Sequence, residues 1–320
     1  MLIIRNHNDF NYYHLTYSLG LTNEKLILGQ GNLGNRYNKH SSIFFLNSII
    51  YLPFIKHYLF HSTGWITLLF VNLALLENIL KKSFIRGFNN WNEALSKTTS
   101  YENKDIFSKT LHAARLVRDK KVAYEHDSVL FDKIQYDWPL LSALLLVANN
   151  QKKLHVVDFG GALGSTYQQN KKYLDALSIP MKWAIVEQSE YVKIGRHEFQ
   201  DNILNFYESI STIEFDIDLI MLNGSLCYIK NSYKILDQIM SVKPKFILFT
   251  RTPFTSLDKD EVSIQIVPKS IYEASFPIWS FSETKIINYL SDLYKIFEIW
   301  NDNLQADDDA VAKGILFKLI

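Results

Sequence analysis

The sequence predicts an α/β fold built on a mostly parallel, seven-stranded sheet, and three observations carry that prediction. From Leu154 onward, short apolar runs alternate with amphipathic stretches: "LHVVD", "KWAIVE", "ILNFYE", "DIDLIMLN", "KFILFT", "YKIFEIW" and "GILFKLI". Strands separated by helical stretches imply right-handed crossovers and parallel pairing. The first of these runs ends in an acid and enters a glycine turn, "VVDFGGALGS", which then opens a helix. The last two runs lie about 20 residues apart around the polar "NDNLQADDD", so they are expected to close the sheet as an antiparallel pair.

The region before the sheet reads as largely helical. Over residues 88–150, "NWNEALSKTT" offers Asn90 as a helix cap with Glu93 three residues on. "DIFSKTLHAARLVRDKKVAYEHD" places Ile106, Leu111, Ala114 and Leu116 on roughly one helical face. "WPLLSALLLVANN" puts Pro139 near a helix start. Residues 1–87 form an extension whose "GQGNLGNRYNKHSS" reads as loop and whose apolar zone runs from Ile43 to Leu80. Its first run is interrupted by Asn47, Pro53 and Lys56, and its second, "WITLLFVNLALL", has 12 residues. A membrane span needs roughly 20 mostly apolar residues. Buried core helices are therefore the preferred reading. In-plane membrane contact through residues 43–86 is the rival, aided by Lys56, His57, Lys81, Lys82 and Arg86.

Composition removes several function classes. The chain of 320 residues is 48% hydrophobic, enough for one large core or a core with a satellite domain. Its 34 basic residues against 33 acidic ones give a net charge of +1, so no long-range field points to nucleic acid. A single cysteine, Cys227, excludes an internal disulfide framework and a cysteine-based zinc cluster, and fits a cytoplasmic setting. The opening "MLIIRNHNDFNYYHL" is a poor secretory signal. No metal pair is indicated, and a homo-oligomer is left open.

The glycine turn can be read by elimination. The dinucleotide fingerprint G-x-G-x-x-G would place its first glycine at Phe159, so that reading fails at its tightest position. No Gly-Lys-Ser/Thr follows the turn, which removes the phosphate-binding loop of nucleotide triphosphatases. S-adenosyl-L-methionine makes a different demand: a close backbone approach and a carboxylate for its ammonium. Asp158, Gly160 and Gly164 match the pattern Asp/Glu-x-Gly-x-Gly-x-Gly, Gly161 is an extra glycine, and Ala162 replaces the middle one. Alanine resists positive φ, so the path of the loop is in question there. Glu187, 23 residues after Gly164 and followed by Gln188, stands where an acid meets the ribose hydroxyls. Tyr207, Glu208 and Ser209 fall where adenine lies, and Asn223, Gly224 and Ser225 fall beside the sulfonium.

With these residues in view, the chain resembles a family of methyltransferases found mainly in bacterial gene clusters for O-antigen and other surface polysaccharides. The resemblance runs from Phe88 to Ile320. It rests on "NWNEALSKTTSY", "AYEHDSVLFDKIQYDWPLL", "VVDFGGALGSTYQQN", "WAIVEQSEYVKIGR", "FYESI", "RTPF" and "IYEASFPIWSFSE". It implies the class I methyltransferase fold, a sugar or glycan acceptor, and an active site bordered by "YEHDSVLF" and "RTPF…IYEASFP". Methyl transfer to an alcohol needs alignment, exclusion of water and a proton acceptor. Glu125, His126 and Asp127 are the candidates for that acceptor. The family often has Arg where His126 stands, which favours Glu125 or Asp127. Arg251 follows the fifth strand and could grip an anionic group or form an internal ion pair. Tyr272, Ser275 and Trp279 would pack a sugar face or form a lid. Competing expectations are a nucleotide-sugar oxidoreductase or epimerase, and a non-catalytic partner of a membrane-associated glycan assembly.

Overall fold

The computed structural model describes residues 84–98, 104–267, 274–302 and 309–320. The chain divides between Lys82 and Ser83 into two compact units, and all described residues belong to the second. The apolar zone Ile43–Leu80 and Tyr272 lie outside the described residues. Among those described, no helix is long and apolar enough to cross a membrane.

The sheet is built from β4 (Leu154–Phe159), β5 (Met181–Val186), β6 (Leu204–Tyr207), β7 (Leu219–Asn223), β8 (Phe246–Thr255), β11 (Tyr294–Asn301) and β12 (Ala310–Leu319). Their spatial order is β6-β5-β4-β7-β8-β12-β11. The pairs from β6 to β8 are parallel, while β12 runs antiparallel to both β8 and β11. This is the class I methyltransferase arrangement, and every strand anticipated from the sequence is present. The expected C-terminal hairpin is inserted by its second strand, so β12 rather than β11 meets β8.

Alternation along the strands buries both sheet faces. Val156, Trp183, Ile185, Met221, Leu248 and Leu316 point to the face covered by α3 (Trp138–Gln151), α4 (Ser165–Asp175) and α5 (Ser189–Glu198). Val157, Ala184, Ile220, Leu222, Ile247, Phe249 and Phe317 point to the other, where α6 (Ser232–Val242) and α7 (Glu283–Leu290) pack. Each fully buried Leu, Ile or Phe contributes about 1.5–3 kcal/mol of transfer free energy. The wide, two-sided core makes the carboxyl edge of the sheet a rigid platform.

Three elements decorate that platform. First, α1 (Trp91–Leu95) is capped as expected, with Asn90 Oδ1 accepting the Glu93 amide at 3.1 Å. The return bond of a capping box is displaced by one residue, because Glu93 Oε2 accepts the Asn89 amide at 2.9 Å. Second, the stretch read as one helix through Asp127 breaks earlier. Helix α2 (Lys104–Arg118) stops short of Asp127, and β2 (Tyr124–His126) with β3 (Val129–Phe131) form a hairpin. Its turn residues Asp127 and Ser128 have φ of 49° and 68°, the two positive values that a tight two-residue hairpin demands. Third, a second hairpin of β9 (Glu261–Ile266) and β10 (Ser275–Ser282), flanked by β1 (Phe84–Ile85), extends the sheet beyond β8. Along the edge opposite β12, strand β8 serves two partners: Phe246–Thr250 pairs with β7, and Phe254–Thr255 pairs with β10. Arg251, with φ of 52°, is the pivot between them.

Candidate functional site

The glycine turn follows β4 and crosses the carboxyl edge of the sheet. The Gly160 amide donates to Val186 O at 2.9 Å, tying the turn to β5. Gly161 lies so close to Asp158 that a Cβ there would stand 2.5 Å from the carboxyl carbon. Ala162 does take a left-handed conformation, with φ of 49°, as do Gly160 and Gly164. The path of the loop is thus the one a glycine would follow, held at a cost by an alanine. Left-handed backbone costs an L-residue about 1–2 kcal/mol, partly offset by the entropy glycine adds to the unfolded chain. Ala162→Gly is therefore expected to stabilise the protein by about 1 kcal/mol, read as a higher denaturant midpoint at unchanged slope.

Two acids meet this turn. Asp158 is 1% exposed; its Oδ2 accepts only a long 3.4 Å bond from the Trp183 indole. Its Oδ1 is buried and has no partner among the described residues. Burial pushes the carboxyl up to about 7, against the pull of the Trp183 bond and with a further push from Glu187. Glu187, at the end of β5, accepts the Ala162 amide at 3.3 Å on Oε1 and the Gln188 amide at 2.8 Å on Oε2. Burial raises its pKa despite those two bonds. Each oxygen keeps a second lone pair, so the residue fixes the turn and still presents two acceptors. The Gln188 side chain is exposed and makes no capping bond to α5.

The other candidates for the cofactor divide into held and free. Asn223 is held at both ends of its amide: its Oδ1 accepts from Thr250 Oγ1 at 2.9 Å and its Nδ2 donates to Thr166 Oγ1 at 3.3 Å. It braces β7, β8 and α4. Gly224, with φ of 63°, lets the chain pass Arg251 at contact distance. Ser225 packs on Gly160, and its hydroxyl is buried without a partner. Ser209 caps a short 3-10 turn through the Ser211 amide, while Glu208 is exposed.

The β2–β3 hairpin brings the remaining residues to the same edge. Glu125 is 3% exposed and points to the start of α4, where Ser165 Oγ donates to Oε1; the Ser128 amide donates to Oε2 at 3.1 Å. Burial raises its pKa against both bonds. His126 and Tyr124, two residues apart, share the other face. Burial and the Arg251 charge push the His126 imidazole down to about 4, so it is neutral at pH 7. Its Nε2 faces Asp127 Oδ2 at 3.4 Å, an oxygen that can only accept, so the proton sits on Nε2. Nδ1 then accepts the Tyr124 hydroxyl at 2.6 Å.

Arg251 anchors this group. Its Nη2 donates to Asp127 Oδ2 at 2.6 Å, the internal ion pair foreseen as one of its two roles. Burial pushes the Asp127 carboxyl up, but the Arg251 guanidinium overrides that and holds it well below the usual carboxylate range. The Arg251 amide donates to Asp302 Oδ2 at 2.5 Å, while its Nε is buried without a partner.

Thus the turn, Glu187, Gly224, Ser225, Arg251 and the hairpin acids converge at the carboxyl edge, and Glu208 follows β6 at the same edge with its side chain exposed. Three of the buried polar atoms without a partner, on Asp158, Ser225 and Arg251, lie along this one contiguous line of contacts. Sequence reading missed Ser225 as an unsatisfied group, Tyr124 as the partner of His126, and Asp302. Asp302 stands in a polar, acid-rich stretch where no spacing singles it out. No group of acids, histidines and cysteine able to hold a metal occurs among the described residues.

No protein-family model and no curated protein sequence matches the chain. Among solved structures it is similar to an S-adenosylmethionine-dependent methyltransferase from Clostridium acetobutylicum ATCC 824. That likeness has 12% identity, covers 67% of this chain and 98% of the other, and has a TM-score of 0.39. It is also similar to the N-terminal domain of EvdMO1, solved in the presence of S-adenosylhomocysteine and D-fucose. Identity there is 10%, coverage 68% and 97%, and the TM-score 0.42. A third is the N-methyltransferase NodS from Bradyrhizobium japonicum WM9 in complex with S-adenosylhomocysteine. It shares 10% identity over 57% of this chain and 87% of the other, with a TM-score of 0.35. At these identities the likeness adds nothing to the fold that the strand order already gives.

Proposed function

We propose that the protein is an S-adenosylmethionine-dependent methyltransferase, acting on a sugar hydroxyl of a bacterial surface polysaccharide or its precursor. The observation that carries the reading is the buried, unpartnered Asp158 oxygen beneath the glycine turn, one strand from Glu187. A buried acceptor with no donor is a costly arrangement that a cationic ligand relieves. Asp158 would hold the ammonium of the cofactor, Glu187 the ribose hydroxyls, and the Gly224–Ser225 backbone the region near the sulfur. When bound, the cofactor supplies a methyl group made electrophilic by the sulfonium.

The chain itself must align the acceptor and receive its proton. Arg251 Nε and Ser225 Oγ offer two unsatisfied contacts to an acceptor oxygen on the side of the site facing the hairpin. His126, neutral at pH 7, and Asp127, ionised, stand next to Arg251 as the candidate proton acceptors. The sugar acceptor and a cytoplasmic location at the inner face of the membrane draw on the resemblance and on the apolar zone before residue 83. Membrane flotation of the full chain tests that location. Phe159, in place of the first fingerprint glycine, weighs against the oxidoreductase and epimerase alternatives.

Titration calorimetry with S-adenosylmethionine and S-adenosylhomocysteine tests the cofactor. The wild type should bind both, and Asp158→Ala and Glu187→Ala should each weaken binding tenfold or more, about 1.4 kcal/mol. A wild type that binds neither ligand, or two variants that bind as well as wild type, would overturn the proposal.

A further inference from the structure

Asp158 sits where a negative charge has no support. The residue is 1% exposed, and its better-placed oxygen receives only the 3.4 Å indole bond from Trp183 on β5. The other ionisable group facing it is Glu187, which directly follows β5 and is also acidic. The turn covers it with Gly161, which brings no side chain, and α4 begins beyond with Ser165. Among the described residues no lysine, arginine or histidine forms an ion pair with it. A buried carboxylate without a partner neutralises itself by taking a proton.

We infer that Asp158 carries its proton in the free protein below neutral pH and gives it up to solvent when the cofactor's ammonium docks. The inference rests on the cofactor reading above. The exchange balances: a neutral carboxylic acid and an ammonium become a carboxylate–ammonium pair, and one proton leaves for the buffer. The site then contains a neutral group before binding and an ion pair after it. Below neutral pH an unpaired carboxylate is then not left against the apolar floor formed by Trp183, Ile185 and Val156. Burial holding the carboxyl at about 7 agrees with this.

The same exchange predicts tighter binding as pH rises from about 6 toward 8, because less work is spent removing the proton. Calorimetry of the full chain with S-adenosylhomocysteine, in buffers of different ionisation heat, counts the protons directly. Near pH 6 the wild type should release about one proton per ligand bound, falling toward zero above about pH 8. Asp158→Asn should bind more weakly and release none. A wild type that binds near pH 6 with no proton release, or a variant that releases as many as wild type, overturns the exchange and leaves the cofactor reading standing. A wild type that binds neither S-adenosylhomocysteine nor S-adenosylmethionine overturns both.

If the variant binds too weakly to titrate, the carboxyl carbon resonance of Asp158 in the wild type decides. Protonated when free and ionised when saturated at the same pH supports the exchange. The same state in both overturns it.

Discussion

Asp158→Asn is expected to be more stable than wild type by about 2 kcal/mol near pH 8 in the absence of ligand, an unusual sign for a change at a buried polar residue. The sign follows from linkage. In the folded protein Asp158 holds its proton up to about pH 7, whereas an unfolded aspartate releases it near pH 4. Between those values the folded state binds more protons than the unfolded state. The contribution of Asp158 to stability is therefore fully present at low pH and is lost as pH rises through about 7. A shift of this size corresponds to about 4 kcal/mol. Asparagine matches the shape and never ionises, so it avoids the loss; leaving its amide partly unsatisfied takes back about 1–3 kcal/mol. Urea midpoints near pH 5 and pH 8 check this. The variant's advantage should be absent at the lower pH and clear at the higher one. Saturating S-adenosylhomocysteine should narrow or reverse the gap, because the ligand stabilises the protein to which it binds more tightly. An advantage of equal size at both pH values would place its origin outside the ionisation of Asp158.

This trade of stability for binding explains what was legible in the sequence and what was not. The strand pattern was readable because one large two-sided core demands continuous apolar runs: every residue of β7 from Leu219 to Leu222 is fully buried. The turn was readable because close backbone approach demands glycine, and Gly161 against Asp158 is such a case. Ala162 could not be resolved from sequence, since its left-handed φ is imposed by the anchoring of its neighbours and by Glu187. The hairpin at Tyr124–Phe131 was hidden for a different reason. Its strands are three residues each, too short to show alternation, and Asp-Ser is a weaker turn signal than Asn-Gly. Consequently the opposition of Glu125 to Tyr124 and His126, which follows at once from strand geometry, could not be read. The ion pair of Arg251 with Asp127 spans 124 positions and depends on where β8 pivots. Long-range pairings of this kind leave no local trace.

Gly314→Ala is expected to cost about 3 kcal/mol, the upper end for one added methyl group, because of what the glycine faces. Gly314 in β12 is the cross-strand partner of Trp300 in β11, and a Cβ there would lie 2.0 Å from the indole Cε2 and 2.4 Å from its Nε1. The contact falls on the fused part of a rigid ring, which cannot yield as the tip of a flexible chain would. It also falls at the register shift of β12 between Lys313 and Ile315, opposite the Arg251 pivot of β8. The indole N–H donates to Asp302 Oδ1 at 2.9 Å, and Asp302 Oδ2 takes the Arg251 amide. Moving the ring therefore pulls on the carboxylate that holds the left-handed residue at the edge of the site. Steric and hydrogen-bonding costs can be separated. Asp302→Ala removes the acceptor of the N–H while leaving the indole in place, and the cost of Gly314→Ala should stay at about 3 kcal/mol in that background. In a Trp300→Ala background the methyl of Gly314→Ala meets no ring, and its cost should fall below about 1 kcal/mol, a coupling of 2 kcal/mol or more. Equal costs of Gly314→Ala in the two backgrounds would show that the glycine is required by the strand itself and not by the indole. Loss confined to the native background would tie the Arg251 pivot, and with it the hairpin acids, to a single packing contact on the far edge of the sheet.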